Sequence, residues 1–584
     1  MSRSMDSKIF NFARFAGLGN QFLIHQGPAD VQSTYIYLGG AVGLMLYLRC
    51  HYREPSVPGF LALLVLCQIV LAGALVRFGR DGGAYGAVQA ILVYNTTLMT
   101  STLAALTFYR LLLNPLKRFQ GPLWARLSKA VAAGTSRLSG PLFYPATSRA
   151  DVTKYGDVVR VAPNELSYCS VESITEIHGA LSSKIAKGPW YDGIPDIKAK
   201  SMASERDLAE HKFRRRIWDR GFSPKALVGY EPRILQHVNS LSKQLRARTG
   251  AVLNFSDWCD FFAFDVMGDL GFGEDFHMLI EAKPHPYMVF MHQGLRLLSI
   301  FAHVPWIKPI LPWVPVDAQT KRDSKTFAQI SAERFQKRRA EGSDRDDVFS
   351  YLLGGGIEGA KKLTDPELEA DAGAVIVGGS DTTSVCLTFL FYFLAKNPNV
   401  LRQLQHEVDE LWDGITTQTG ALWAQAKYLN GVINESLRLY PPGPNGMQRT
   451  TPKGGCFILG EYLPEGTQLS VHGWSIHRDE RYFSKPTEFM PERWIDEKRP
   501  TNFHHDSRAF IPFSIGQYGC VGKGLALLEM RFFVAELVKR FDVTLDGSHD
   551  EEAFQRADVL DLYFMGRQRA ALALISPRVI DDKV

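Results

Sequence analysis

A single cysteine framed by glycines is the residue in this chain best placed to do chemistry. Cys520 lies in the stretch Phe513-Ser-Ile-Gly-Gln-Tyr-Gly-Cys-Val-Gly522, and apolar residues at helical spacing follow it. The pattern predicts a tight loop at the N-terminal end of a helix, where glycines let the main chain approach a flat object closely. Unpaired amides and the helix dipole favour a negative charge on the sulfur, the form of cysteine that binds metal ions. An isolated cysteine at a helix start is otherwise a buried structural residue.

The loop resembles the haem-binding loop of the cytochromes P-450, whose pattern is Phe-x-x-Gly-x-Arg-x-Cys-x-Gly. Phe513, Gly516, Cys520 and Gly522 match, whereas Tyr518 stands at the position that is usually basic. The resemblance implies that Cys520 is the thiolate ligand of a haem iron, and that Phe513 and Gly516 belong to the cofactor-binding loop. Such a thiolate pushes electron density toward oxygen bound on the iron. A tyrosine would offer the haem propionates a neutral hydrogen bond in place of a charge-assisted one.

A long apolar segment carries a second group of reactive side chains. Thr364-Asp-Pro-Glu367 reads as a capping box with proline in the first turn, and Asn397-Pro398 ends the pattern, which predicts one helix between them. The stretch Gly378-Gly-Ser-Asp-Thr-Thr383 lies near its middle. An ionisable residue at that depth of a membrane is costly, so a buried helix of a soluble domain is favoured.

The same stretch matches the motif of the long central helix over the haem in the cytochromes P-450. The resemblance implies that Asp381 feeds protons through water and that Thr382 hydrogen-bonds iron-bound oxygen or water. It also implies that the glycine pair lets the helix widen locally. The alternative is a glycine-bearing core helix whose threonine has its hydrogen bond satisfied.

Basic residues at two further places match family positions that pair with the haem propionates. His211 and Arg215 are four residues apart, so they share one face of a predicted helix. Arg449 follows Pro442 by seven residues, where family members place an arginine on a strand. The resemblance implies that His211, Arg215 and Arg449 bind the propionates. A solvated basic face is the alternative for the first two.

Two motifs predict a buried ionic network. Glu435 and Arg438 are three residues apart on a predicted helix, and alone they would form a surface ion pair worth little. They match the Glu-x-x-Arg motif of the family, and Pro491-Glu-Arg-Trp494 matches its Pro-Glu-Arg-Phe/Trp segment. The resemblance implies that Arg493 completes a buried network that locks the cysteine loop.

Composition excludes several classes of protein. The chain has 584 residues, more than one ordinary domain, and a net charge of +5, which does not suggest a nucleic-acid binder. Its seven cysteines are widely spread without a Cys-x-x-Cys pair, so neither a zinc site nor a disulfide scaffold is indicated. A reducing, cytosol-facing compartment fits this pattern. No nucleotide-binding glycine fingerprint follows a predicted strand, so no flavin or nicotinamide domain is evident.

Three apolar stretches precede the globular part, at residues 35–48, 60–76 and 88–113. A transmembrane helix needs about 20 apolar residues, a length that the second and third stretches reach and the first reaches only if it extends toward Val31. We therefore predict an N-terminal membrane anchor over residues 1–113 with two or three transmembrane helices. Buried helices of a soluble domain are the alternative. The basic residues that follow favour a body on the cytosolic side.

The resemblance implies an α+β fold that is mostly α-helical: the cytochrome P-450 fold with a small β-rich subdomain, over residues 114–584 behind the anchor. The resemblance implies a haem-thiolate monooxygenase that inserts one oxygen atom from O2 into a lipophilic small molecule, with electrons from an NADPH–cytochrome P-450 reductase. The anchor resembles that of fungal secondary-metabolism members, which implies the endoplasmic reticulum membrane. Two alternatives are a haem-thiolate isomerase or dehydratase that uses no O2, and a non-catalytic haem-binding membrane protein. The intact Asp381-Thr382 pair argues against the isomerase or dehydratase.

Overall fold

The protein divides by its internal contacts into two units, Met1–Lys117 and Arg118–Val584. The computed structural model describes residues 28–52, 57–78, 83–129, 154–179, 184–194, 198–292, 302, 305, 318–342, 345, 347–354, 362–444, 446–547, 549–550, 554 and 572–578.

The described part of the first unit is helical. Its helices are α1 (Pro28–Tyr52), α2 (Val57–Phe78) and α3 (Gly83–Phe108), which continues as a π-helical turn over Tyr109–Leu113. Segments Gly59–Val76 and Gly83–Leu113 are long and apolar enough to cross a membrane, with mean hydropathies of 2.6 and 1.3. The first apolar stretch lies inside α1, a helix of 25 residues. Among the described residues, the third helix that meets this measure belongs to the second unit.

Helices α1 and α3 approach closely at two glycines. A Cβ atom at Gly39 would lie 2.6 Å from the carbonyl oxygen of Tyr94, and one at Gly43 would collide with the carbonyl oxygen of Leu98. The Thr102 hydroxyl donates to the Gly43 carbonyl at 3.0 Å. Small residues four positions apart are a common means by which helices associate in membranes. The packing of this unit therefore agrees with a membrane environment.

The second unit is mainly helical, with short strands. Its helices in the described residues are α4 (Leu123–Leu127), α5 (Val171–Ile177), α6 (Leu208–Gly221), α7 (Pro224–Arg246), α8 (Phe255–Phe272), α9 (Met278–Glu281), α10 (286–292), α11 (Ala318–Ala340), α12 (Val348–Gly354), α13 (Asp365–Lys396), α14 (Pro398–Leu411), α15 (Gly420–Gln425), α16 (Lys427–Leu439), α17 (Gly473–Ile476) and α18 (Lys523–Arg540).

In the part of the chain that the structure describes, the strands form three small sheets. They are β1 (Val158–Ala162), β2 (Glu165–Tyr168), β3 (Ala186–Lys187), β4 (Val252–Asn254), β5 (Arg449–Thr450), β6 (Cys456–Ile458), β7 (Glu461–Leu463), β8 (Gln468–Val471), β9 (Phe541–Leu545) and β10 (Leu572–Pro577). One sheet has the order β1-β2-β8-β5-β3, the second has the order β4-β10-β9, and β6 pairs with β7. The β2–β8 pair is parallel and the other pairs are antiparallel. The mostly α-helical fold with small sheets agrees with the prediction.

Helix α13 runs through the core of this unit. Thr364 and Glu367 form the predicted capping box, with the Thr364 amide donating to Glu367 Oε2 at 2.8 Å. Its buried residues join one large apolar cluster with residues of α7, α8, α16 and α18. At Gly379 a Cβ would lie 2.5 Å from the sulfur of Met267 on α8, so the glycine permits this close packing. The helix is thereby fixed against its neighbours on both sides of the Asp381-Thr382 pair.

Candidate active site

The cysteine loop is a tight turn fixed at both ends. The Cys520 amide donates to the carbonyl oxygen of Phe513 at 2.8 Å, and α18 begins three residues after the cysteine. Ser514 and Gly516 have φ angles of +54° and +72°, in the left-handed region that favours glycine. A Cβ atom at Gly516 would collide with the carbonyl oxygen of His178. The loop is thus as tight as its glycine spacing predicts.

The sulfur of Cys520 faces opposing influences. The side chain is exposed to solvent, yet the surrounding protein is dense enough that burial raises the pKa of the thiol. The pKa is lowered by the amides of Gly522 and Lys523 and by the charge of Arg215, as expected for a sulfur near a helix start. Burial has the larger effect, so the pKa of the thiol stays above its usual value. A metal ion bound to the sulfur would supply the missing positive charge and deprotonate the thiol.

The predicted ionic network is present and fully buried. Glu435, Arg438 and Arg493 have no solvent exposure. Glu435 Oε1 lies 2.7 Å from Arg438 Nη2 and 2.9 Å from Arg493 Nε. Trp494 Nε1 also donates to Glu435, at 3.0 Å. These charges hold the pKa of Glu435 below its usual range despite burial.

His477 connects this network to the segment that leads into the cysteine loop. Its Nε2 accepts a hydrogen bond from the Ile511 amide at 3.0 Å, so the proton lies on Nδ1, which donates to the Arg438 carbonyl at 3.1 Å. Burial and the charges of Arg438 and Arg478 lower the pKa of His477 to about 3, so the ring is neutral. No sequence pattern assigns this residue to the loop, because the contact joins residues that are 34 positions apart.

Asp381 and Thr382 lie on α13, which packs against α18, the helix that follows Cys520. The Thr382 hydroxyl donates to the Gly378 carbonyl at 2.7 Å, and both residues have solvent-accessible surface in the middle of this core helix. The expected widening at the glycine pair is not seen, because α13 is a regular α-helix throughout. Gly379 instead serves packing against α8. Gly378 leaves one face of α13 open, because a Cβ atom there would have no neighbouring atom of the described residues within 4 Å.

The predicted propionate-binding residues converge on the ring of Tyr518. The ring of His211 lies 4.6 Å from it, and the Arg449 guanidinium stacks over it at 4.6 Å. Arg215 Nη1 donates to the carbonyl of the next residue, Gly519, at 2.6 Å. The structure therefore brings together three residues that are up to 238 positions apart in the sequence.

Lys187 belongs to the same cluster and was missed from the sequence. Its ammonium group lies 5.3 Å from the centre of the Tyr518 ring and donates to the carbonyls of Met202 and Ala203 at 2.9 and 2.7 Å. Strand β3 has two residues, and its pairing places Lys187 directly opposite Arg449 on β5. No local sequence pattern predicts a strand of only two residues. A basic side chain from a neighbouring strand therefore lies against the Tyr518 ring.

The charges in this cluster are poorly compensated by the protein. Burial and the neighbouring cations lower the pKa of Lys187 well below its usual value and that of His211 to about 3. Among the described residues, neither Lys187 nor Arg449 forms a salt bridge, and Nε and Nη2 of Arg449 are buried without a hydrogen-bond partner. Buried cations need an anionic partner. The two carboxylates of a haem would provide the negative charge and the hydrogen-bond acceptors that these buried donors need.

Comparison with known proteins agrees with this site. The family model described as Cytochrome P450 matches residues 152–562. The chain belongs to the cytochrome P-450 family. Cytochrome P-450 monooxygenase FCK2 of Fusarium pseudograminearum (strain CS3096) is 37% identical over 461 residues, 78% of this chain and 81% of its own. Cytochrome P-450 monooxygenase notG' of Aspergillus versicolor is 33% identical over 560 residues, 94% and 99% of the two chains. Tryprostatin B 6-hydroxylase of Aspergillus fumigatus is 32% identical over 551 residues, 92% and 95%.

As a cytochrome P-450 monooxygenase, the protein is a haem-thiolate oxidoreductase. The roles of its individual side chains remain predictions. Cys520, Phe513 and Gly516 form the loop expected to hold the iron. His211, Arg215, Arg449 and Lys187 lie at what would be the propionate edge, and Asp381 and Thr382 lie on the core helix.

Proposed function

We propose that the protein inserts one oxygen atom from O2 into a lipophilic small molecule in fungal secondary metabolism. The reaction converts a substrate C–H bond to an alcohol and consumes two electrons and two protons, and the second oxygen atom leaves as water. The cluster that carries the proposal is the Cys520 loop with the buried Arg449 guanidinium beside Tyr518, whose Nε and Nη2 have no hydrogen-bond partner among the described residues. The similarity to tryprostatin B 6-hydroxylase, named for a hydroxylation, supports this type of reaction.

Each predicted residue has a distinct part in this proposal. Cys520 would hold the iron, and the haem, when bound, supplies oxygen binding and cleavage. Lys187, Arg449, Arg215 and His211 would orient the cofactor through its propionates. Asp381 would take up and release a proton next to the open face of α13, and the Thr382 hydroxyl would provide a hydrogen bond on that face. The acid and the alcohol serve oxygen cleavage, which distinguishes this proposal from an isomerase or dehydratase.

The proposed partners follow from this reaction and from the first unit. An NADPH–cytochrome P-450 reductase would deliver the electrons, because the chain carries no nicotinamide or flavin fingerprint. Helices α2 and α3 would anchor the protein in the endoplasmic reticulum membrane. The basic residues after the third apolar stretch favour a catalytic unit that faces the cytosol.

The first test is the ligand of the iron. We expect Cys520→Ala to lose the red-shifted Soret band of the reduced, CO-bound protein, because alanine offers no thiolate. The matched control is Cys456→Ala, which removes a half-buried thiol from strand β6. Persistence of the thiolate band in Cys520→Ala would refute the assignment.

The second test moves a cation within the propionate edge. Lys187→Gln should lower the haem content per protein, because it removes one of the charges around Tyr518. Adding Tyr518→Arg to this variant returns a cation to the usual family position and should recover haem. Exposed Lys225→Gln is the control. Full haem content in the double variant Lys187→Gln, Arg449→Gln would show that these cations do not hold the cofactor.

A further inference from the structure

Asp381, the proposed proton-carrying residue, has a direct partner outside its own helix. Its Oδ1 lies 2.7 Å from Nε2 of His292. His292 is on α10, 89 positions earlier in the chain, and is not part of any motif that the sequence analysis singled out. Both side chains are partly buried, with 17% of His292 and 15% of Asp381 exposed. The carboxylate is therefore held by an imidazole at the middle of the core helix.

The imidazole is itself oriented by an aromatic neighbour. The ring of Phe264 on α8 meets the His292 ring edge-on, with centroids 5.8 Å apart and an angle of 89°. Helix α8 also packs tightly along α13 at Gly379. The histidine is thus positioned by one rigid helix and directed at a carboxylate on the next.

A histidine in this place can do more than pin two helices together. Imidazole accepts a proton at one ring nitrogen and releases one from the other, which makes it suited to pass protons along a chain of groups. An amide of similar length would keep the hydrogen bond to the carboxylate but cannot carry a proton. This difference separates a structural pair from a proton-conducting one.

We propose that His292 is a positioning residue that orients Asp381 and passes protons to it. The imidazole takes up one proton from water at its other nitrogen and gives the Nε2 proton to the Asp381 carboxylate. The imidazole is neutral before and after the step, and the carboxylate becomes a neutral carboxyl group by gaining the proton that the water lost. Asp381 then gives that proton up on the open face of α13. The proposal rests on the proposed role of Asp381 in oxygen cleavage.

The experiment compares His292→Ala with His292→Gln in the full-length holoprotein. Because the substrate is unidentified, the probes are O2 and NADPH with an added cytochrome P-450 reductase. Oxygen consumption, NADPH oxidation and peroxide release are measured together. They give the share of electrons that reduce O2 to water, which needs four protons per O2, instead of to peroxide, which needs two. His285→Gln is the matched control, since His285 lies just before α10 and contacts Phe276.

We expect both His292 variants to retain haem and the thiolate CO band. We also expect the rate of water formation to fall by about tenfold to a hundredfold. A hundredfold loss is about the smallest contribution that is typical of a positioned acid–base group. The loss of a proton carrier should also change the ratio of this rate in H2O and D2O. Full recovery in His292→Gln would overturn the proposal, because it would leave only an orienting role. Unchanged water formation in His292→Ala would overturn it as well.

A further variant separates this proposal from the one on which it rests. In an Asp381→Asn background, His292→Ala should have no additional effect, because both residues would serve one path. If Asp381→Asn is itself without effect while His292→Ala slows water formation, His292 does not act through Asp381 and the inference fails. If Asp381→Asn and His292→Ala are both without effect, the proposed role of Asp381 fails together with the relay.

Discussion

Two helices of this protein have almost the same length and apolar character but opposite surroundings. The segment that contains α3 spans 31 residues with a mean hydropathy of 1.3, and α13 spans 32 residues with 1.5. Within the protein, 11% of the apolar window of the first is buried, against 61% of the second. Length and composition therefore do not distinguish a helix with a largely exposed apolar surface from a core helix.

Their polar side chains differ in degree: Thr102 of α3 bonds both within its helix and to α1, whereas α13 bonds to three other helices. In α3, Thr97 and Thr100 return their hydroxyl hydrogen bonds to carbonyls three or four residues earlier in the same helix. In α13, Asp371, Asp381 and Ser384 bond to residues on other elements. A helix that faces lipid must satisfy most of its polar groups locally. A core helix can use them to bind its neighbours.

The sharpest way to break the comparison is to place the same charge on both helices. Leu390 on α13 is 1% exposed and Leu103 on α3 is 53% exposed. Leu390→Asp should abolish haem binding, because burying an unpaired carboxylate costs more free energy than the folded domain has relative to the unfolded chain. Leu103→Asp should leave the CO-bound spectrum intact and weaken retention in the membrane fraction. Equal haem content in the two variants would contradict the contrast.

A smaller effect is expected from deleting one polar side chain on each helix. Asp371 accepts hydrogen bonds from the Met202 amide at 2.6 Å and from Trp218 Nε1 at 3.0 Å, and it has no solvent exposure. Asp371→Ala leaves these buried donors without a partner, which costs about 1–3 kcal/mol each at most. Thr100→Ala removes only a bond within its own helix. The measurement is the temperature at which haem is released, and a drop in Thr100→Ala as large as that in Asp371→Ala would refute the distinction.

A third prediction concerns a carboxyl group that faces α13 from α18. Glu529 is buried next to Thr383, and burial raises its pKa from 4.5 to about 8. The folded protein then holds this proton more tightly than the unfolded chain, so the free energy of unfolding should fall as pH rises from 4.5 toward 8. Glu529→Gln should flatten this dependence.

The control for this prediction lies on the same helix. Glu536 is paired with Arg540 at 3.2 Å, and Glu536→Gln leaves Glu529 in place. Denaturant unfolding followed at pH 5 and pH 8 measures both variants. A pH dependence in Glu529→Gln identical to that of the natural protein would assign it to other groups.

Short-range patterns predicted the parts of this fold that depend on neighbouring residues. The capping box at Thr364, the end of α13 at Asn397 and the tight loop at Cys520 are local, and the structure has them where they were expected. Motif resemblance added the partnership of Glu435 with Arg493, which spacing alone did not suggest. The sequence predicted the anchor less completely. The short stretch 35–48 lies within a longer helix, and the role of its glycines depends on the packing of α3 against it.

The residues that were missed all depend on contacts between distant parts of the chain. Lys187 reaches the Tyr518 ring because a strand of two residues pairs with β5. His292 on α10 reaches Asp381 on α13, and His477 accepts a hydrogen bond from Ile511, 34 positions away. A single sequence carries no signal for such contacts, because each residue has ordinary neighbours along the chain.

The glycines of the cysteine loop differ in how replaceable they are. Gly516 combines a positive φ with a main-chain carbonyl where a side chain would begin, whereas a Cβ at Gly522 would meet only ordinary contacts at 3.8 Å and has a φ of −80°. In a library randomised at both positions and selected for haem, glycine alone should survive at 516, while alanine should persist at 522. During evolution, position 516 should therefore stay glycine, whereas position 522 should accept substitutions.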